Sequence, residues 1–241
     1  AKGFPYRIHD LPEPDKLENL NWFVNRFGYK IRTSGTKTEV SKSLNKLLAD
    51  VRGKKEQNLI EMISLKAMQK ARYSTHNIGH YGLAFPYYTH FTSPIRRYPD
   101  MMVHRLLQRY LDGKRSADKD MHESLCVRCS EREVIAAEAE RASIKYKMVE
   151  FMADKIGEEF DGQISGLSEW GIFVELEDSI VEGMMLMRDI PGDYYQFDEE
   201  RYEVYGHSTG KVFTIGDKVR IRVKSADLRR RLLDFEYVSS L

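Results

Sequence analysis

At Gly157 the hydrophobic rhythm of the chain changes, and no single class of secondary structure satisfies both parts. Before it, apolar residues recur every three or four positions. Leu17, Leu20, Phe23, Val24 and Phe27 do so across 12–28, which predicts an amphipathic helix stopped by Gly28. A second helix is predicted at about 39–52 from Val40, Leu44, Leu47, Leu48 and Val51. A third is predicted at about 56–72 from Leu59, Ile60, Ile63, Ala67 and Met68. The segment from about 117 to 156 predicts one long helix with a break near Arg132. After Gly157, the stretches EFDGQISGL, GIFVELE and DKVRIRVKSAD alternate apolar and polar residues between Gly and Asp turns. Several short strands in so few residues predict a small closed antiparallel barrel. The expected domain boundary is therefore near 156, giving 1–156 and 157–241.

Charge divides the chain at the same place. The net charge of the 241 residues is +1, but 1–156 holds 28 Lys+Arg against 19 Asp+Glu, and 157–241 holds 10 against 18. The first part, at +9, suits a polyanionic partner better than the second, at −8. A 41% hydrophobic and 31% charged composition fits a soluble globular chain, and no window has the length and apolarity of a membrane span. Two cysteines, Cys126 and Cys129, lack the second pair a structural zinc site needs. Few cysteines and no secretory signal point to the cytoplasm and to no membrane partner. The chain opens with Ala rather than Met, so a preceding N-terminal part is expected.

Candidate chemistry concentrates between Tyr73 and Arg105. Residues 73–91, rich in Gly, aromatics and His, predict short strands and turns. Ser93 and Pro94 then predict a helix start, with Pro99 distorting its first turn. Such a start offers free amides to an anion. Arg96 in that first turn opposes the helix dipole, which phosphate binding would explain. On a regular helix Arg96, Asp100 and His104 share a face, so Asp100 could brace Arg96 for two phosphate oxygens. A plain Arg–Asp surface pair explains the same spacing, and Arg97 and Arg105 are open to that reading too. His76, His80, His90 and His104 lack zinc-enzyme spacing, and no metal ligand is assigned. Tyr98 and its aromatic neighbours are either core or stacking surfaces.

In the second part, Trp170, Phe173 and Phe160 are candidates for base stacking. Strict alternation sends Ile172 and Val174 inward and Phe173 outward. Lys218, Arg220, Arg222 and Lys224 form a predicted solvent-facing basic stripe, joined by Arg229, Arg230 and Arg231. RNA contact and edge protection by charge both remain open for it.

The segments YRIHDLPEPDKLENL, HYGLAFPYYTHFTSPIRRYPDMMVHR and AAEAERAS resemble the catalytic domain of the ribonuclease II and R family. The last 85 residues, with GQISGLSEWGIFVEL, DYYQFDEE and GKVFTIGDKVRIRV, resemble an S1-type RNA-binding domain, and favour the ribonuclease R branch. The resemblance implies an α+β chain: the mostly helical C-terminal part of an RNB catalytic domain, then a five-stranded OB-type β-barrel. It implies processive 3′→5′ hydrolysis of RNA to nucleoside 5′-monophosphates with Mg²⁺. The family's clustered aspartates have no match here, so this part alone is expected to bind RNA without cutting it and to hold no metal. Arg96 resembles the family's phosphate-contacting arginine. Arg97, Tyr98, His104, Arg105, Trp170, Phe173, Arg220 and Arg222 are the expected RNA contacts. The family's usual G-L-V-H stands here as Gly183-Met184-Met185-Leu186, without the RNA-facing His. RNA is the expected partner, with the ribosome or RNA-decay machinery as a further candidate, and a monomer is expected. A stand-alone RNA-binding adaptor is the rival reading.

Overall fold

The computed structural model describes residues 2–54 and 56–241. Contacts divide the chain into two units, Ala1–Asp50 with Ile63–Glu138 and Val51–Met62 with Ala139–Leu241.

The first unit is mainly helical. Pro14 opens α1 (Pro14–Asn25), where its missing amide costs nothing, and Leu17, Leu20, Phe23 and Val24 are buried. The helix ends before Phe27, which is left exposed, and Gly28 closes it at φ +81°. Helix α2 (Lys37–Asp50) begins with a reciprocal cap. The Thr36 amide donates to the Glu39 carboxylate at 2.9 Å, and the Glu39 amide to the Thr36 hydroxyl at 3.3 Å. Helix α3 (Gln57–Ala67) ends before the predicted 72 because Arg72–Ser74 turns into strand β2. That strand pairs antiparallel with β1 (Tyr6–Ile8).

Two expectations for the helices fail. Helix α4 spans Tyr98–Leu111 and does not begin at Ser93–Pro94. A helix running through Pro99 would lose one hydrogen bond and clash with the preceding turn, so Pro99 can only sit in the first turn. Helix α5 (Lys119–Met152) is continuous for 34 residues, with no break at Arg132. It contains neither Pro nor Gly, and helix kinks need a cause of that kind.

In the second unit, β3 (Glu159–Leu167), β4 (Gly171–Leu176), β5 (Glu182–Leu186), β9 (Lys218–Asp227) and β10 (Leu232–Ser240) close into a barrel ordered β10-β5-β4-β3-β9. Alternation fills it with Ile164, Ile172, Val174, Met185, Val219, Ile221, Val223 and Phe235. The wholly antiparallel barrel expected from sequence is corrected: β10 pairs parallel with β5. Directions cannot alternate around a ring with an odd number of strands, so one parallel seam is unavoidable. Between β5 and β9 a three-stranded sheet of β6 (Tyr195–Asp198), β7 (Glu203–Gly206) and β8 (Val212–Phe213) was not anticipated.

Candidate nucleic-acid interface

Residues 93–97 form a tight turn ahead of α4. The amides of Arg96 and Arg97 donate to the Ser93 carbonyl at 3.3 and 3.0 Å. Beneath it lies Asp100, wholly buried in the first turn of α4. Its Oδ2 accepts the Ser93 amide at 2.8 Å and Arg97 Nη2 at 2.9 Å. The expectation that Asp100 braces Arg96 is thereby corrected. Arg96 precedes the helix and shares no face with Asp100 or His104, so the buried carboxylate takes Arg97 instead. Arg96 is exposed, and its side chain has no hydrogen bond or ion pair among the described residues.

Behind the turn is a packed polar network. Burial pushes the Tyr73 hydroxyl up to about 12, with Arg7 pulling the other way and Glu133 adding to the rise. Burial first, then the charges of Arg97 and Arg7, hold His90 below the usual histidine range. The Tyr73 hydroxyl and His90 Nδ1 share a 2.8 Å hydrogen bond. Arg7 lies 4.6 Å over the Tyr73 ring and grips Glu133 with both terminal nitrogens. These partners are more than a hundred residues apart in sequence, so no local pattern announces them.

The other candidates from this stretch fall in different surroundings. His104 stacks on Phe91 at 4.1 Å and 3°, and its Nε2 donates to the Phe91 carbonyl at 2.9 Å. It is a packing residue of this turn, and its ring is already covered on one face. Tyr98 is half exposed, and with Arg105 and Arg109 it lines a groove of about 620 Å³. The Arg105 side chain has no hydrogen bond or ion pair among the described residues.

On the barrel, Trp170 is 75% exposed in the turn between β3 and β4. Phe173 is half-buried on the outer face of β4, opposite Gly166 on β3 and Met184 on β5. A Cβ on Gly166 would come 3.4 Å from the Phe173 ring, so the glycine leaves that ring uncovered. Phe160, also half-buried, carries the opposite parity and registers with Ile221 of the core. The predicted basic stripe on β9 is corrected to a row of ion pairs. Lys218 meets Glu177 at 2.7 Å, Arg220 meets Asp161 at 2.6 Å, Arg222 meets Glu159 at 2.6 Å, and Lys224 meets Asp189 at 2.7 Å. Acidic residues from β3, β10 and nearby loops supply what the linear sequence of β9 conceals. Arg229 and Arg231, at the β9–β10 tip, have no such partner among the described residues.

Among the described residues, no group of three or more His, Cys, Asp or Glu side chains is placed to hold a metal ion. Cys126 is buried and burial pushes its thiol up to about 12, so it is packed and unreactive.

The RNB domain model matches residues 1–113, and the S1 RNA binding domain model matches 153–237. Ribonuclease R of Aquifex aeolicus is 41% identical over 247 residues, covering 99% of this chain and 34% of that protein. The chain is homologous to ribonuclease R over nearly its whole length. It spans about a third of the length of the curated relatives it matches. Mycoplasma genitalium RNase R in complex with ribose methylated single-stranded RNA superposes with a TM-score of 0.82 at 27% identity, over 98% of this chain and 38% of that one. Yeast Ssd1, a pseudonuclease, shares the fold at a TM-score of 0.63 and 23% identity, over 84% of this chain and 26% of its own. Fold alone does not fix function, which must be argued from the site.

Proposed function

We propose that this chain is part of a hydrolytic 3′→5′ exoribonuclease, contributing Arg96 to the reacting phosphate and the 157–241 barrel to RNA holding. The observation that carries this reading is the state of Arg96: a guanidinium unpaired among the described residues, on a turn fixed from beneath. Hydrolysis adds water to the terminal phosphorus and breaks its bond to the upstream O3′. That step releases a nucleoside 5′-monophosphate and leaves a new 3′-hydroxyl. Negative charge builds on the phosphoryl oxygens in the transition state, where a planar two-pronged cation is most useful. The likeness to an RNA-bound RNase R supports RNA as the ligand.

The described residues supply no ligand set for a divalent ion. In this reading Mg²⁺ is bound by carboxylates elsewhere in a longer protein, and the 241-residue chain alone holds RNA without shortening it. Tyr98 and Arg105 extend the contact along the strand from Arg96. Arg97 and His104 support the turn from inside. Trp170 and Phe173 offer faces for bases, and Arg220 and Arg222 join only by exchanging a carboxylate for a phosphate. The proposed setting is cytoplasmic, as a monomer, with the ribosome or RNA-decay machinery as partner.

The test is Arg96→Ala in the longer protein. Turnover of single-stranded RNA should fall on the order of a hundredfold or more, while the dissociation constant for RNA rises only a few-fold. Unchanged turnover would take Arg96 out of the reaction.

A further inference from the structure

Asp100 is the one buried carboxylate among the described residues, and the proposed chemistry does not touch it. We propose that Asp100 is a positioning residue, a clamp that stiffens the 93–97 turn and thereby aims Arg96. This inference rests on the proposed role of Arg96.

Asp100 is one of four buried polar or charged residues in the described structure and the only ionisable one among them. Enclosing a carboxylate is costly unless it is fully bonded. Here the bonding is incomplete: Asp100 Oδ1 and Arg97 Nε are both buried without a partner. A well-packed apolar side chain would serve stability at least as well, so stability alone does not explain the pair. Geometry does. Asp100 Oδ2 holds the backbone at the start of the turn, through the Ser93 amide, and the side chain at its end, through Arg97. Both ends are thus tied to the first turn of α4, whose Met102, Val103 and Leu106 are anchored in the core. Arg96 sits between the tied ends, its side chain without a hydrogen bond or ion pair among the described residues. Its direction comes from the backbone, and the backbone is set by Asp100.

Two readouts test this separately. In the 241-residue chain, Asp100→Ala should speed hydrogen exchange of the Ser93 amide about tenfold or more, with the amides of α1 and α2 unchanged. In the longer protein, the same change should lower kcat about ten- to a hundredfold, since small misplacements of a reacting group are that costly. KM should stay within about twofold. Asp100→Asn keeps an oxygen acceptor for the Ser93 amide and should recover most of the loss; it also serves if the alanine variant does not fold. Added to Arg96→Ala, neither change should reduce kcat further, because Asp100 acts only through Arg96. Additive losses, a rise in KM at constant kcat, or unaltered exchange at Ser93 would each overturn the clamp. If Arg96→Ala itself leaves turnover intact, the proposed function fails, and exchange at Ser93 still decides whether Asp100 holds the turn.

Discussion

Two adjacent arginines, Arg96 and Arg97, are chemically identical and have opposite fates. One turns to a buried carboxylate and the other to solvent, and a helix start four residues later than the Ser93 cap predicts is what separates them. The histidines behind the turn follow the same logic of environment. Burial is the main reason that His80 and His90 both lie below the ordinary histidine value, with His9 and Arg7 adding to it at His80. Both imidazoles therefore favour the neutral form when folded. Between the lowered folded values and the unfolded value near ~6.5, the unfolded chain binds more protons. The stability they contribute is present above that unfolded value and is lost as pH falls through the folded ones. Thermal midpoints should accordingly drop between pH 7.5 and 5.5. His90→Asn, which keeps an acceptor near Nδ1 for the Tyr73 hydroxyl, should make that drop smaller. An identical drop would mean that His90 takes up its proton as readily folded as unfolded.

At the level of elements, the barrel wall separates paired charges from exposed aromatic rings. On β9 each outward cation has an acidic neighbour across the strand or loop, and exposed pairs of this kind contribute only about 0–1 kcal/mol each. Base stacking on an exposed ring is worth about 1–3 kcal/mol. Trp170→Ala and Phe173→Ala should therefore weaken binding of single-stranded RNA more than Arg220→Ala does, as titrations at fixed salt would show; the reverse order would move the contact surface to β9. Inside the wall, Gly183 on β5 has no room for a side chain, since a Cβ would lie 2.6 Å from the Phe235 ring. Overpacking there should make Gly183→Ala less stable by about 1–3 kcal/mol in urea unfolding. A smaller change would show that the Phe235 ring can shift.

For the whole molecule, the proposed function and the charge division together predict that electrostatics in one part and aromatic faces in the other contribute separately to RNA binding. Removing 157–241 should weaken RNA binding by the 241-residue chain, while what remains keeps a marked salt dependence carried by unpaired cations such as Arg96 and Arg105. Equal affinity with and without those residues would exclude the barrel as a contact. Incubated with Mg²⁺ and single-stranded RNA, the 241-residue chain should leave the RNA at full length. Stepwise shortening on a gel would show that the chain carries a metal site of its own.

What could be read from the order of residues was whatever depends on near neighbours. The faces of α1 and α2, the stop at Gly28, the strands of the barrel and the outward Phe173 all follow from periods of 3.6 and 2. The FTSPIRRYPD run could be singled out for the same reason, being contiguous. The partner of each charge depended instead on the tertiary structure. Asp100 chose Arg97 because Pro99 dictates where α4 can begin, and Arg7 met Glu133 because β1 packs where α5 passes. The stripe on β9 lost its bare positive charge to residues on other strands. Ionic and hydrogen-bonding partners are set by distance in space, and in these cases space brought together residues that no local period connects.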